Sequence, residues 1–127
     1  IADTRAKGAT PIICSPVPRK IWKDGKVTRD RYGDWAREVA AAEKVAFLDL
    51  NEIIAQQYES LGAEKVEPLF ADEHTHTSWE GAELNAASVI AGLKGLKKNP
   101  LGKYFSAKAA SIQPAILRPS TQTIKTK

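Results

Sequence analysis

Two short apolar runs separated by a helix-like stretch constrain the fold of this 127-residue chain more than any other feature. The first covers residues 11–15 and the second residues 45–48, and each is followed at once by a polar or breaking residue. Such runs are typical of strands buried on both faces, as in parallel sheets. Between them, apolar residues recur at three- and four-residue spacing over about residues 31–43, which predicts an amphipathic helix. Strand, helix and strand in this order predict an α/β fold with a parallel sheet.

The rest of the chain predicts a hairpin and further helices. Asp24-Gly25 is typical of a two-residue hairpin turn, and helices are expected over residues 2–7, over about 52–61 with Asn51 as cap, and over about 78–97. Two clear strands are fewer than the roughly five of a complete doubly wound sheet, so the sequence resembles half of a domain. Apolar stripes are expected at Tyr32, Trp35, Ala36, Val39 and Ala40 and, in the last helix, at Ala82, Ala86, Val89, Leu93 and Leu96.

The charge of the chain argues against a nucleic-acid partner. The net charge is +4, but the whole excess lies in residues 107–127, which carry basic residues and no acid, and the remainder is balanced. We interpret residues 106–127 as a basic, disordered tail and residues 1–105 as the folded part. No run is long enough to span a bilayer, so no membrane partner is expected. The single cysteine, Cys14, is predicted to be a buried small hydrophobe.

Both histidines of the chain lie in one polar segment, Asp72-Glu73-His74-Thr75-His76-Thr77-Ser78. Thr77 and, three residues later, Glu80 form the pattern of a capping box, which predicts that a helix begins here. His76 would then lie directly before the helix, on a loop that the helix holds in place. This is a rigid way to direct an imidazole into a cleft.

An acid close to His76 could bond to its Nδ1 atom, select its tautomer and stabilise the imidazolium that forms when the ring takes a proton from a serine. Glu73 has a suitable three-residue spacing, and Asp72 is the alternative. Two other interpretations stay open: a polar surface loop, and a metal site of the His-x-His type. The second lacks a third histidine and a nearby cysteine.

The stretch from Phe70 to Lys94 resembles the last motif block of the SGNH (GDSL-type) hydrolases, and within them the rhamnogalacturonan acetylesterase group. That group often has an acid-x-x-His segment reading His-Thr-His-Thr before Gly-Ala. Segments 8–19, 32–40 and 47–51 are also similar, so the resemblance covers about residues 1–105. It implies the C-terminal part of a three-layer α/β/α, flavodoxin-like fold. It further implies an ester hydrolase without metal or organic cofactor, secreted or periplasmic, that acts on an acetylated polysaccharide or oligosaccharide.

The resemblance also assigns roles to residues. His76 matches the general base and Glu73 the position of the acid, where the family usually has aspartate, so Asp72 remains a second candidate. His74 and Thr75 would line the cleft. Trp22, on the hairpin, is a candidate for stacking on a sugar ring, with ordinary packing as the alternative.

The Gly-Asp-Ser nucleophile block, the glycine block and the Gly-x-Asn-Asp block of the family do not occur in this sequence. The chain begins at Ile1 and has no methionine, so we expect a fragment or one partner of a split enzyme. Because such catalytic groups act as a unit, the chain alone is expected to be inactive. Its partner would be the missing N-terminal half of the fold. The alternative is a non-catalytic binding or assembly module.

Overall fold

The structure is a computed structural model, and it describes residues 1–117. Its main sheet has two parallel strands, which pair Ile12 with Ala46 and Cys14 with Leu48. A separate antiparallel hairpin pairs Trp22 with Val27. The strands are β1 (Ile12–Cys14), β2 (Trp22–Lys23), β3 (Lys26–Val27) and β4 (Ala46–Leu48). The helices are α1 (Ala2–Ala6), α2 (Arg31–Ala42), α3 (Leu50–Leu61), α4 (Ala63–Val66) and α5 (Trp79–Gly95), with 3-10 turns at Glu67–Leu69, Gly102–Tyr104 and Ala107–Ser111.

Helices cover both faces of the main sheet. The guanidinium of Arg37 in α2 lies 4.8 Å from the ring centre of Phe47 in β4. The next residue, Leu48, lies so close to Gly92 of α5 that a Cβ there would be 2.4 Å from a Leu48 methyl. Because successive side chains of a strand point to opposite faces, α2 and α5 lie on opposite sides of β4. The predicted α/β architecture with a parallel sheet is confirmed.

The core lies between α3, α5 and the hairpin. Tyr58 and Ile54 of α3 and Val27 of β3 are fully or almost fully buried, and Trp22 packs against the same cluster. The hairpin turns at Asp24-Gly25 as predicted, and both residues have positive φ, 51° and 72°. That pair of angles suits the twist of a two-residue hairpin. None of the helices within residues 1–117 has the length and apolar character needed to cross a bilayer.

The prediction of a first strand buried on both faces is wrong. In β1, Ile12 and Ile13 are half-buried and Cys14 is exposed. The physical reason is that β1 pairs only with β4 within residues 1–117, so its other edge has no neighbouring strand. Partial desolvation still raises the pKa of the Cys14 thiol.

The predicted apolar stripe of α2 is buried only in part. Its member Ala40 is buried, but Tyr32, Trp35 and Val39 are 62%, 49% and 50% exposed. The predicted stripe of the last helix is confirmed in its second half, where Leu93 is buried and Val89 and Leu96 pack against the core. It is wrong at the start of the helix, where Ala82 and Ala86 are exposed. The buried residues of this helix are Gly81, Ser88, Ala91, Gly92 and Leu93.

Two predicted helix caps are displaced by local hydrogen bonding. Asp49, not Asn51, caps α3, because its carboxylate accepts the N–H of Glu52 at 3.2 Å. Ser78, not Thr77, caps α5, because its hydroxyl accepts the N–H of Gly81 at 3.3 Å.

The segment that follows α5 is partly ordered, which differs from the expectation of a disordered tail from residue 106. The ammonium of Lys94 donates to the carbonyl oxygens of Ala109 at 2.5 Å and Ile112 at 2.6 Å. The N–H of Ala115 donates to the carbonyl of Ala91 at 2.9 Å. These bonds hold residues 109–115 against α5, while residues 118–127 lie outside the described part of the chain.

Candidate functional site

The histidine-bearing loop between the last 3-10 turn before α5 and α5 itself is closed by its own backbone. Phe70 and Thr77 form an antiparallel bridge. The N–H of Ala71 donates to the carbonyl of His76 at 2.8 Å, and the N–H of Ser78 donates to the carbonyl of Leu69 at 2.9 Å. These bonds hold both ends of the loop together. We call residues 71–77 the histidine loop.

Lys20 joins the histidine loop to the segment that leaves the carboxyl end of β1. Its N–H donates to the carbonyl of His74 at 2.9 Å. Its ammonium lies 2.7 Å from a carboxylate oxygen of Glu67 and 5.3 Å from the ring centre of Phe70. The loop is therefore joined to the segment that follows β1, and active sites of α/β proteins usually lie beyond the carboxyl ends of such strands. The sequence analysis missed Lys20, and no local pattern distinguishes it from other lysines.

Asp72 organises the histidine loop from within. One of its oxygens, Oδ1, accepts the backbone N–H groups of His74 at 3.1 Å, Thr75 at 2.7 Å and His76 at 2.9 Å. The other oxygen, Oδ2, lies 2.6 Å from Nδ1 of His76. The N–H groups of Thr75 and His76, together with the ring of His76, hold the pKa of the Asp72 carboxyl well below its usual range. Asp72 is thus a carboxylate with both oxygens engaged.

The contact with Asp72 determines which ring nitrogen of His76 carries the proton when the ring is neutral. An ionised carboxylate only accepts hydrogen bonds, so Nδ1 of His76 must carry the proton. In the neutral ring, Nε2 is then the acceptor, and it is the atom left to take a proton from another group. The His76 side chain is 81% exposed. The arrangement supplies an oriented base that is open to a partner molecule.

Glu73 does not make the contact predicted for it, because Asp72 occupies that position. Asp72 starts the turn, and its short side chain can cap the following N–H groups with one oxygen and meet the ring with the other. His74 and Thr75 bond to each other instead, with Nδ1 of His74 2.7 Å from the hydroxyl of Thr75. Trp22 is not in the loop and packs half-buried against the core.

Ser15, at the carboxyl end of β1, is buried and fully engaged. Its hydroxyl donates to the carboxylate of Asp49 at 2.9 Å and accepts the N–H of Asn51 at 2.8 Å. Asp49 is also paired with Arg37. Ser15 therefore ties β1 to the start of α3. Its hydroxyl is not available to attack a substrate.

Within residues 1–117, no group of three or more histidine, cysteine, aspartate and glutamate side chains is arranged to hold a metal ion. The His-x-His segment does not assemble such a group, because the histidine rings are turned to different partners, Thr75 and Asp72.

The sheet and its covering helices define the chain as part of an α/β protein. No family model matches it, but curated proteins do. Over 86 residues it is 33% identical to a rhamnogalacturonan acetylesterase of Emericella nidulans, which covers 66% of this chain and 35% of the relative. Over 104 residues it is 33% identical to a probable rhamnogalacturonan acetylesterase of Bacillus subtilis, which covers 76% of this chain and 48% of the relative.

Over this part of its length the chain is related to the rhamnogalacturonan acetylesterases, which confirms the resemblance found in the sequence. The matches span less than half the length of these relatives.

Proposed function

We propose that this chain carries the general base and the orienting acid of a carbohydrate O-acetylesterase. The observation that carries the proposal is the 2.6 Å contact between Asp72 and Nδ1 of His76, which leaves Nε2 free. In the proposed reaction a serine hydroxyl bonds to the acetyl carbonyl carbon while its proton passes to Nε2 of His76. The ester C–O bond then breaks, and His76 returns the proton to the sugar oxygen. Water, activated by the same ring, releases acetate from the acyl-serine.

Asp72, not Glu73, is our choice for the orienting acid. Its carboxylate is held ionised by three backbone N–H donors, so it can stabilise the imidazolium that forms at His76. Glu73 makes no hydrogen bond or ion pair within residues 1–117 and serves as a matched control, since it is an acid of the same loop. We place His74 and Thr75 beside the cleft as expected from the resemblance.

The nucleophile and the oxyanion donors have to come from a further part of the fold. Two features of the chain offer this part a surface to bind. One is the edge of β1 that no strand within residues 1–117 pairs with, and the other is the set of exposed side chains of Tyr32, Trp35 and Val39 on α2. A parallel strand on that edge would extend the sheet. We propose that the N-terminal half of an SGNH-type fold, on the same or a separate polypeptide, is the partner.

The test isolates the tagged protein from its source cells and measures acetate release from acetylated rhamnogalacturonan, with an intact-mass spectrum of everything that copurifies. We expect a species containing Gly-Asp-Ser. His76→Ala should abolish turnover, and Asp72→Asn should lower kcat by about 10²–10⁴-fold, since it changes the tautomer and removes the charge. Glu73→Gln should stay within about twofold of the wild type.

Three outcomes contradict the proposal. The first is that the isolated material releases no acetate, and the second is that the His76→Ala variant retains activity. The third is that Glu73→Gln lowers activity more than Asp72→Asn does. In the last case the base survives but the acid is wrongly assigned.

A further inference from the structure

Trp79 is the most exposed tryptophan of the chain and follows the histidine loop by two residues. It is 78% exposed, and within residues 1–117 its ring makes neither an aromatic pair nor a cation–π contact. The other tryptophans differ: Trp22 packs against the core, and Trp35 lies edge-on to Tyr32 at 5.4 Å. Trp79 therefore contributes little to the packing of the described chain.

The backbone under Trp79 is rigid. Trp79 is the first residue of α5, whose cap Ser78 donates its N–H to the carbonyl of Leu69 at 2.9 Å. Two residues later, Gly81 lies so close to the same carbonyl that a Cβ would be 2.1 Å from the oxygen. A large apolar ring is thus displayed to solvent from a fixed position, where a polar residue would serve the helix equally well.

We propose that the indole of Trp79 is a stacking platform for a neutral sugar ring next to the reacting ester. Three peptide units separate its Cα from that of His76, so the two are at most roughly 11 Å apart. One face of a pyranose ring carries C–H bonds with partial positive charge, which complement the negative face of an indole. This part of the inference rests on the proposed function.

The surroundings favour a neutral sugar over a uronate. Asp72 and Glu73 precede the ring in the chain, and Glu80 and Glu83 follow it. The pKa of the Glu80 carboxyl is lowered, first by a hydrogen bond from its own backbone N–H and then by one from Ser78, so it is ionised at neutral pH. Lys20, whose backbone N–H bonds to the loop, has its ammonium engaged with Glu67. A sugar carboxylate at Trp79 would meet like charge.

The test uses the three tryptophans as internal reporters, because each indole N–H gives one signal in a ¹⁵N NMR spectrum. Methyl α-L-rhamnopyranoside is titrated into the isolated chain, and sodium galacturonate at equal ionic strength is the comparison. We expect a saturable shift of the Trp79 signal with the rhamnoside, a smaller one with galacturonate, and no change at Trp22 or Trp35. Trp79→Phe assigns the signal. Trp79→Ala should weaken binding by about tenfold or more, and Trp35→Ala should leave it unchanged.

The platform is overturned if no indole signal moves, if Trp35 moves with the same concentration dependence, or if galacturonate is preferred. Failure of the proposed function is separately visible. If the rhamnoside shifts the Trp79 signal but the isolated protein releases no acetate, the stacking proposal stands and the proposed esterase function is refuted. If acetate is released but the Trp79 signal does not respond, the esterase function stands and the stacking proposal is refuted.

Discussion

The ion pair between Lys20 and Glu67 is asymmetric, and this predicts unequal effects of removing its two ends. The Lys20 side chain is 5% exposed, whereas that of Glu67 is 71% exposed, and their charged atoms are 2.7 Å apart. Glu67→Ala would leave a buried ammonium without its carboxylate. Lys20→Met would leave a carboxylate that water already solvates, and the methionine would keep most of the buried stem.

The expected magnitudes follow from this difference. Removing one partner of a fully buried pair costs about 3–5 kcal/mol, and because Glu67 is itself solvated we expect Glu67→Ala to cost about 2 kcal/mol. An exposed carboxylate that loses its partner loses about 0–1 kcal/mol, so Lys20→Met should be nearly neutral. The free energy of unfolding is measured by urea denaturation, followed by tryptophan fluorescence, with an unchanged slope as the check on two-state behaviour.

Glu64→Ala is the matched control, since Glu64 is an exposed acid of the neighbouring α4 without an ion pair in the described chain. It should change the free energy of unfolding by less than about 0.5 kcal/mol. The reasoning is refuted if Lys20→Met costs as much as Glu67→Ala. It is also refuted if Glu67→Ala behaves like the control, because burial of the ammonium would then carry no penalty.

Two further predictions concern the histidine loop and its support. Gly81→Ala should destabilise the chain by at least about 1–3 kcal/mol, because its Cβ would lie 2.1 Å from the backbone oxygen of Leu69. Gly95→Ala is the control: its Cβ would lie 3.6 Å from the nearest atom, so it should be neutral in the same urea assay. Equal effects of the two substitutions would contradict the clash at Gly81. Folding lowers the pKa of Asp72. Its hydrogen bonds therefore stabilise the loop fully at any pH above the pKa of an unfolded aspartate, about 3.9. This stabilisation is lost as the pH falls through the lower pKa of the folded state. The amide signals of residues 74–76 should therefore titrate with a midpoint below about 3.9, and a midpoint at or above it would contradict the contact.

Elements specified by neighbouring residues could be predicted from the sequence. Asp24-Gly25 predicted the hairpin correctly, because this turn needs positive φ at both central positions and few residues other than glycine, asparagine and aspartate tolerate it. The apolar runs gave β1 and β4 and, with the helix between them, their parallel pairing. Within the histidine segment, a helix was predicted to begin directly after His76, and α5 begins three residues after it, at Trp79.

The details of the site depended on three-dimensional geometry that spacing does not encode. Glu73 and Asp72 are both within reach of His76 along the chain, and the choice between them follows from the turn, where Asp72 bonds three successive N–H groups. Lys20 is 47 residues from Glu67, so their pairing has no local signature. The sequence analysis did not single out Trp79, because exposure at the start of a helix cannot be read from periodicity.

The burial errors in β1 and in α2 share one physical cause. The residue types of β1 and of the α2 stripe are those of buried positions, yet Cys14, Tyr32 and Trp35 are exposed in the described chain. A hydrophobic pattern reports what a complete fold covers, whereas exposure reports what these 117 residues cover by themselves. Both discrepancies lie at the unpaired edge of β1 and on the helix that packs against it, as one absent neighbour would produce. An open edge of only three residues, set between Pro11 and Pro16, offers few free backbone groups to a chance partner, so we expect a neighbour that contributes its own apolar surface to α2 as well as a strand.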